Sequence, residues 1–225
     1  MSRRKIGGAM KNAKWQTLTF AIYSAYFAIL LSGCASFRVA GEIQQGRRAL
    51  LRGESEVALP HFQRAAQLDP NYIMNYSPFQ QSVWTYVGKT YYETGNLAEA
   101  RKALERARSR YDWDQMARLY LGLTLARDGD QQRGLKEIEG GLKGLNDWLD
   151  YMEQYHPDGN FWDPGKNLRR HIQTDLAMLS GKDIRGPELI SSAEMLGKKF
   201  EEEIDLAKRD QWDQETEDGD DDGRE

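Results

Sequence analysis

Trp84, Val87, Gly88, Tyr91, Gly95, Ala100, Leu104 and Ala107 constrain the fold of this chain more than any other group of residues. Bulky and small side chains recur at steps of three and four on both sides of Gly95-Asn96, the spacing of a helix face, and the Gly-Asn pair supplies a turn. The pattern predicts two antiparallel helices, with large residues filling the space between them and small ones letting them approach closely. Gly122 lies 34 residues after Gly88 and is trailed by Leu125, Gly129, Gly134, Ile138 and Gly141, so the unit recurs in register. Gly134 and Gly141 stand where the preceding unit has Ala100 and Ala107, which costs about 1 kcal/mol each in helix propensity. Upstream, Gly46, Gly53, Ala58, Phe62, Ala65 and Pro70 fit the same template without its bulky first-helix residues.

From Gly46 to Gly88 the step is 42 residues, so an eight-residue insertion separates the first two units. It falls in Asn71–Gln80, where Tyr72, Tyr76 and Phe79 are expected to pack on the helices. Ser77-Pro78-Phe79-Gln80 reads as a helix start, with Ser77 as cap, Pro78 at the first helical position and Gln80 reaching back.

The unit beginning at Gln81 resembles the tetratricopeptide repeat at nearly every signature position. That resemblance implies an all-α fold: a tetratricopeptide-repeat helical solenoid of about three helix pairs, with repeats near 39–72, 81–114 and 115–148 inside a region 34–145. Ligands of that family usually lie against the first helix of each repeat. Carried over by position, the resemblance implies a partner-binding groove of Arg47 and Leu50, then Thr85, Lys89, Tyr92 and Glu93, then Leu123 and Arg127. Arg47, Lys89 and Arg127 would bring positive charge to that groove. The Lys and Asn of the family's carboxylate-clamp subtype are not matched, so a chaperone-tail ligand is not supported.

Solenoids need a cover at each end, and residues 146–209 have the pattern of one. Trp148, Leu149, Met152 and Tyr155 extend the last repeat helix, and His156-Pro157-Asp158-Gly159 ends it. Asp163 caps a helix opening at Pro164, with the stripe Leu168, Ile172, Leu176 and Leu179 ending at Gly181. A last helix opens at Pro187 with Leu189, Ala193, Leu196, Phe200, Ile204 and Ala207 at steps of three and four. This stripe either folds back on the solenoid or docks to another protein. Residues 210–225 are acidic, lack an apolar pattern and are expected to be disordered; their Asp218–Asp222 charge could visit the groove cations.

At the other end, Arg3, Arg4, Lys5, Lys11 and Lys14 precede the apolar run Trp15–Leu31 with no acidic residue among them. Basic, apolar and small-residue segments in that order read as an export signal. The run is borderline for a bilayer span of about 20 residues. Leu31-Ser32-Gly33-Cys34, ending in the only cysteine, resembles the lipobox of bacterial lipoproteins. The resemblance implies a signal peptide over 1–33, cleavage before Cys34, and a diacylglycerol on its thiol. Ala35 then points to the outer membrane, facing the periplasm.

Without the leader's five cations, the remaining 192 residues carry 26 basic against 35 acidic side chains, a net charge of −9. Such a surface disfavours nucleic acid, whose phosphates demand clustered Lys and Arg. With Cys34 acylated no disulfide can form, and the exported region is long enough for one core.

Catalytic material is sparse. The three histidines, His61, His156 and His171, match no metal motif. His156, Asp158, Asp163 and His171 are residue types that suit zinc, but Asp158 and Asp163 have roles in a turn and a cap. No phosphate loop, nucleophile elbow or His-Glu-x-x-His pair occurs. The expectation is therefore a non-enzyme without cofactor, metal site, catalytic residue or small-molecule substrate: a scaffold or adaptor held to the membrane by lipid, with a protein or peptide partner in the cell envelope. The alternatives are a permanent accessory subunit of an assembly, secretion, pilus or transport complex, docked through the last helix, and an envelope metal-dependent hydrolase.

Overall fold

In the computed structural model, residues 37–76, 78–181 and 186–221 are described, with side chains as far as Asp213. The leader, the Leu31-Ser32-Gly33-Cys34 run and Ser77 lie outside the described residues. The architecture is all-helical apart from one small two-stranded sheet.

Three successive helical hairpins form the first part: α1 (37–51) with α2 (Ser55–Leu68), α3 (Val83–Glu93) with α4 (Leu97–Arg110), and α5 (Gln115–Arg127) with α6 (Gln131–Tyr155). They share one internal register. Each first helix contributes a glycine at the contact, and the residue met there lies 16 positions on: Phe62 for Gly46, Leu104 for Gly88, and Ile138 for Gly122. A Cβ on any of the three would sit 2.4–2.6 Å from that partner, so only glycine allows the approach. Seven residues after each of these comes a turn glycine, Gly53, Gly95 or Gly129, with φ of +75°, +78° and +97°, a conformation that favours glycine.

In the third hairpin both helices contribute glycines to the contact. Gly134 and Gly141 face the α5 backbone at Ala126 and Leu119. The glycines that cost helix propensity in sequence are therefore ones that let backbone meet backbone.

The insertion is a β-hairpin rather than a helix start. Strands β1 (Ile73–Tyr76) and β2 (Phe79–Ser82) pair antiparallel, with Tyr76 opposite Phe79 and Ile73 opposite Ser82. Met74, Tyr76 and Phe79 are buried against the helices, as the aromatic content predicts. Helix α3 begins five residues beyond Pro78, and its cap is Ser82, whose hydroxyl accepts from the Thr85 amide. Pro78 thus stands between two paired strands instead of in a first helical turn.

Helix α6 runs straight through residue 145. It ends at Tyr155 with His156 as its C-cap, and Pro157–Phe161 forms one 3-10 turn. Helix α7 spans Asn167–Ser180 and starts later than Pro164 suggests. Asp163 still caps it at a distance: its two carboxylate oxygens accept from the Leu168 and Arg169 amides across the left-handed residue Lys166. Helix α8 (Gly186–Asp221) continues well past residue 210, so the expected disordered tail is helical as far as Asp221; residues 222–225 lie outside the description.

The six residues of the α8 stripe, Leu189 to Ala207, are at most 3% exposed. Burying a Leu, Ile or Phe is worth about 1.5–3 kcal/mol, which fixes this helix to the body of the molecule. Among the described residues, no helix is long and apolar enough to cross a membrane.

Candidate functional site: the inner face and the helix that fills it

The three first helices, α1, α3 and α5, present the residues predicted to line a groove, and α8 lies across them. It runs from the third hairpin back to the first. Glu194 meets Arg127 and Tyr92; Gly197 packs on the Tyr120 ring; Glu201 meets Lys89, Tyr86 and Arg47; Asp205 meets Arg47. These α8 residues recur at steps of three and four, one position on from the apolar stripe. The helix therefore turns two adjacent stripes to the inner face, an apolar one that is buried and a second in which Gly197 and Glu201 are buried, Glu194 is half-buried and Asp205 is exposed.

At the centre, Arg47 Nε donates to Glu201 Oε2 at 3.0 Å and Lys89 Nζ to Oε1 at 3.3 Å. Arg47 also donates to Asp205 at 2.8 Å and to the Glu201 carbonyl, and its guanidinium lies over the Tyr76 ring. All three charged side chains are almost fully buried. Burial pushes the Glu201 carboxyl up, but Lys89 and Arg47 together outweigh it and hold the group below its ordinary range. Burial works the other way on Arg47, and the Glu201 charge overrides it, so the guanidinium is held more firmly protonated than usual. Tyr86, stacked on Phe62 at 4.9 Å, is pushed up by burial and by Glu201.

The structure thus brings the predicted groove residues together but closes much of the groove over them. Arg47 and Lys89 are buried in pairs with Glu201 and Asp205 of α8, whereas Arg127, 44% exposed, is paired with Glu194; the side chains of the acidic tail lie outside the described residues. Thr85 does not face a groove: its hydroxyl donates to Asp114 Oδ2 at 2.6 Å, in a buried cluster where that carboxylate also accepts from the Ser82 and Ala117 amides and so ties the starts of α3 and α5 together. Leu123 is wholly buried. Tyr92, also buried, donates its hydroxyl to Glu194 and carries the Arg127 guanidinium over its ring.

What stays open are two clefts beside α8, of about 280 and 240 Å³. Leu50 and Glu93 line both, with Lys198 of α8 between them. Glu93 also accepts from Ser55 at 2.6 Å. Sequence reasoning missed Glu194, Gly197, Glu201 and Asp205, although their helical spacing beside an apolar stripe was visible.

The residues weighed for metal chemistry are dispersed. His156 accepts from the Asp158 amide at 3.2 Å, Asp163 caps α7, and His171 shares a hydrogen bond with Ser192 at 2.8 Å. His61 sits between Glu42 and Arg64 on the first hairpin. Among the described residues, no three His, Cys, Asp or Glu side chains converge as metal ligands. No protein-family model and no curated protein matches the chain.

Proposed function

We propose that the chain is a lipid-anchored, periplasm-facing lipoprotein with tetratricopeptide repeats, acting as a protein-interaction scaffold in the cell envelope of a bacterium. The observation that carries this reading is the shared register of the three hairpins: contact glycine, turn glycine at +7 and packing partner at +16. That repetition is what a helical-repeat array requires, and it follows directly on a leader whose last residues resemble a lipobox. Diacylglycerol on Cys34 is the only non-protein group the reading needs, with the outer membrane as destination.

Because α8 covers the inner helices, the partner surface is the open part of the groove beside it, around Leu50, Glu93, Arg127 and Lys198, together with the outer faces of the hairpins. The accessory-subunit alternative relied on the Leu189–Ala207 stripe, which packs within this chain, so it would need a different docking face.

The test has two arms. Metabolic labelling with a fatty-acid analogue should mark the wild-type chain and leave Cys34→Ala unlabelled and unprocessed; normal processing of that variant would remove the anchor from the reading. Cross-linking from detergent-solubilised membranes should recover a specific protein, and loss of that cross-link in Glu93→Arg or Lys198→Glu would place it at the groove. Failure to recover any partner from the labelled, anchored protein would reject the scaffold while leaving the anchor standing.

A further inference from the structure

A trough of about 370 Å³ lies between the second helices of the first two hairpins, α2 and α4, with α3 as its floor. Val87 of α3, Ala66 of α2 and Ala103 of α4 line its middle and are at most 6% exposed. Two of these three side chains are single methyl groups, so space remains between the flanking helices. Trp84 and Tyr91 stand at the two ends, seven residues and therefore about 10 Å apart along α3.

The ends differ in charge. At one, Gln63 Nε2 donates to the Tyr91 hydroxyl at 2.6 Å, and Glu99 accepts from Lys102 at 2.7 Å. At the other, the Arg106 guanidinium lies over the Trp84 ring, 3.8 Å from its centre, and the indole is itself fixed by its N–H, which donates to the Pro70 carbonyl at 2.8 Å. Arg47 and Arg127 are likewise seated over tyrosine rings, and each of them holds a carboxylate of α8. Arg106 has the ring without the carboxylate. Its acidic neighbours on α4 are taken, Glu105 by Arg101 and Glu99 by Lys102, and among the described residues no other carboxylate lies within ion-pair reach of it. A guanidinium covered on one face keeps its N–H groups in its own plane, where they match the two oxygens of a carboxylate. Arg106 is exposed, so a ligand can reach it.

We infer that this trough binds a medium-chain fatty carboxylate. Arg106 donates to both carboxylate oxygens beside Trp84, and the alkyl chain runs over Val87 between Ala66 and Ala103 towards Tyr91. The direction is set by charge, because Glu99 stands seven residues from Arg106 on α4, about 10 Å away. Lys102 and Arg106 against Glu99 leave the described lining one net positive charge, which suits a monoanion better than a phosphate monoester of charge about −2. The volume lies at the small end of ligand sites, and the distance between Trp84 and Tyr91 suits a chain the length of octanoate. A peptide ending in an apolar residue brings the same carboxylate. Its backbone N–H and C=O groups, however, would lie along a floor of Val and Ala whose own backbone groups are bonded within helices.

The trough shares no lining residue with the clefts beside α8, so its test is independent of the scaffold and of the lipid anchor. The purified full chain is titrated with sodium octanoate and, separately, with octanamide, which has the same chain without the charge; methyl resonances of Ala66, Val87 and Ala103 report binding. Octanoate should move all three saturably with a dissociation constant below about 1 mM, and octanamide should bind about tenfold more weakly. Arg106→Gln, at an exposed position, should weaken octanoate about tenfold, the order expected for one charge-assisted contact, and leave octanamide unchanged. Ala103→Leu, which keeps a good helix former and fills the trough, should abolish binding of both; Arg106→Gln carries the test if that variant does not fold.

No binding of octanoate up to about 10 mM, well beyond ordinary weak recognition, would overturn the inference. So would equal affinity for octanoate and octanamide, or octanoate binding indifferent to Arg106→Gln. Arg106-dependent binding of N-acetyl-Leu-Leu without binding of octanoate would overturn it in favour of a peptide end.

Discussion

Arg47 of α1 and Glu201 of α8 stand 154 positions apart in sequence and meet at 3.0 Å with both side chains no more than 4% exposed. Lys89 completes the cluster from α3, so one carboxylate on the last helix neutralises cations from the first and second hairpins. Breaking a buried ion pair by deleting one partner leaves an uncompensated charge, at a cost of about 3–5 kcal/mol. Glu201→Gln should lower stability by that amount in urea titrations followed by circular dichroism. The Arg127–Glu194 pair, with Arg127 44% exposed, is a contrast: Arg127→Ala should cost less than about 1 kcal/mol.

The same carboxylate gives a pH dependence whose sign is fixed by its lowered pKa. Folding makes Glu201 release its proton more readily than the unfolded chain does, so its contribution is complete above its ordinary value of 4.5 and falls away as the pH drops below it. Wild type should lose stability more steeply than Glu201→Gln across this acid limb. Parallel slopes in pH-resolved urea titrations would mean that the cluster does not hold Glu201 ionised.

The contact glycines should rank by what they touch. At Gly122 a new methyl would meet the Ile138 amide nitrogen at 2.5 Å and the Gly134 carbonyl at 2.8 Å, both backbone, whereas at Gly88 the nearest atoms belong to the Leu104 side chain. Gly122→Ala should therefore destabilise more than Gly88→Ala, the latter by the 1–3 kcal/mol typical of an overpacked core. Gly41, exposed on α1 with nothing within 4 Å, is the control: Gly41→Ala should stabilise by up to about 1 kcal/mol. Thermal unfolding of the three variants measures the order.

Asp163 gives a fourth expectation. It caps α7 through two amides, lies 3.5 Å from the Arg169 guanidinium, and is buried. Asp163→Ala should cost about 1–2 kcal/mol for the cap, with more from leaving Arg169 short of a partner; Asp163→Asn, which keeps an acceptor oxygen, should recover part of it. Chemical denaturation of both variants decides.

The hairpins were readable because their information is local. A contact glycine, a turn glycine and a packing residue fall at fixed offsets within about 20 positions, and the chain writes that pattern three times. The insertion was readable as a place but not as a shape. Ser77-Pro78 carries the chemistry of a helix entry, and only the pairing of Tyr76 with Phe79 reveals a strand reversal. The filled inner face was half readable: the apolar stripe of α8 was plain, but its neighbouring acidic stripe looks like any solvated helix face until Arg47, Lys89 and Arg127 are placed opposite. Charge pairs separated by more than 60 positions leave no trace in a local window. The helical extension beyond residue 210 has no apolar period to betray it.

An array of hairpins that touch only their neighbours can fray from either end and fold from any unit. Helix α8 removes that freedom, because one segment near the C-terminus is bonded to all three units at once. The consequence is kinetic as well as energetic: the contact of Arg47 with Glu201 spans 154 positions, and long-range closures of this kind slow folding relative to the local pairing of a hairpin. A chain emerging from the ribosome can form its hairpins one at a time, yet it gains all-or-none cooperativity only when its last helix has been made.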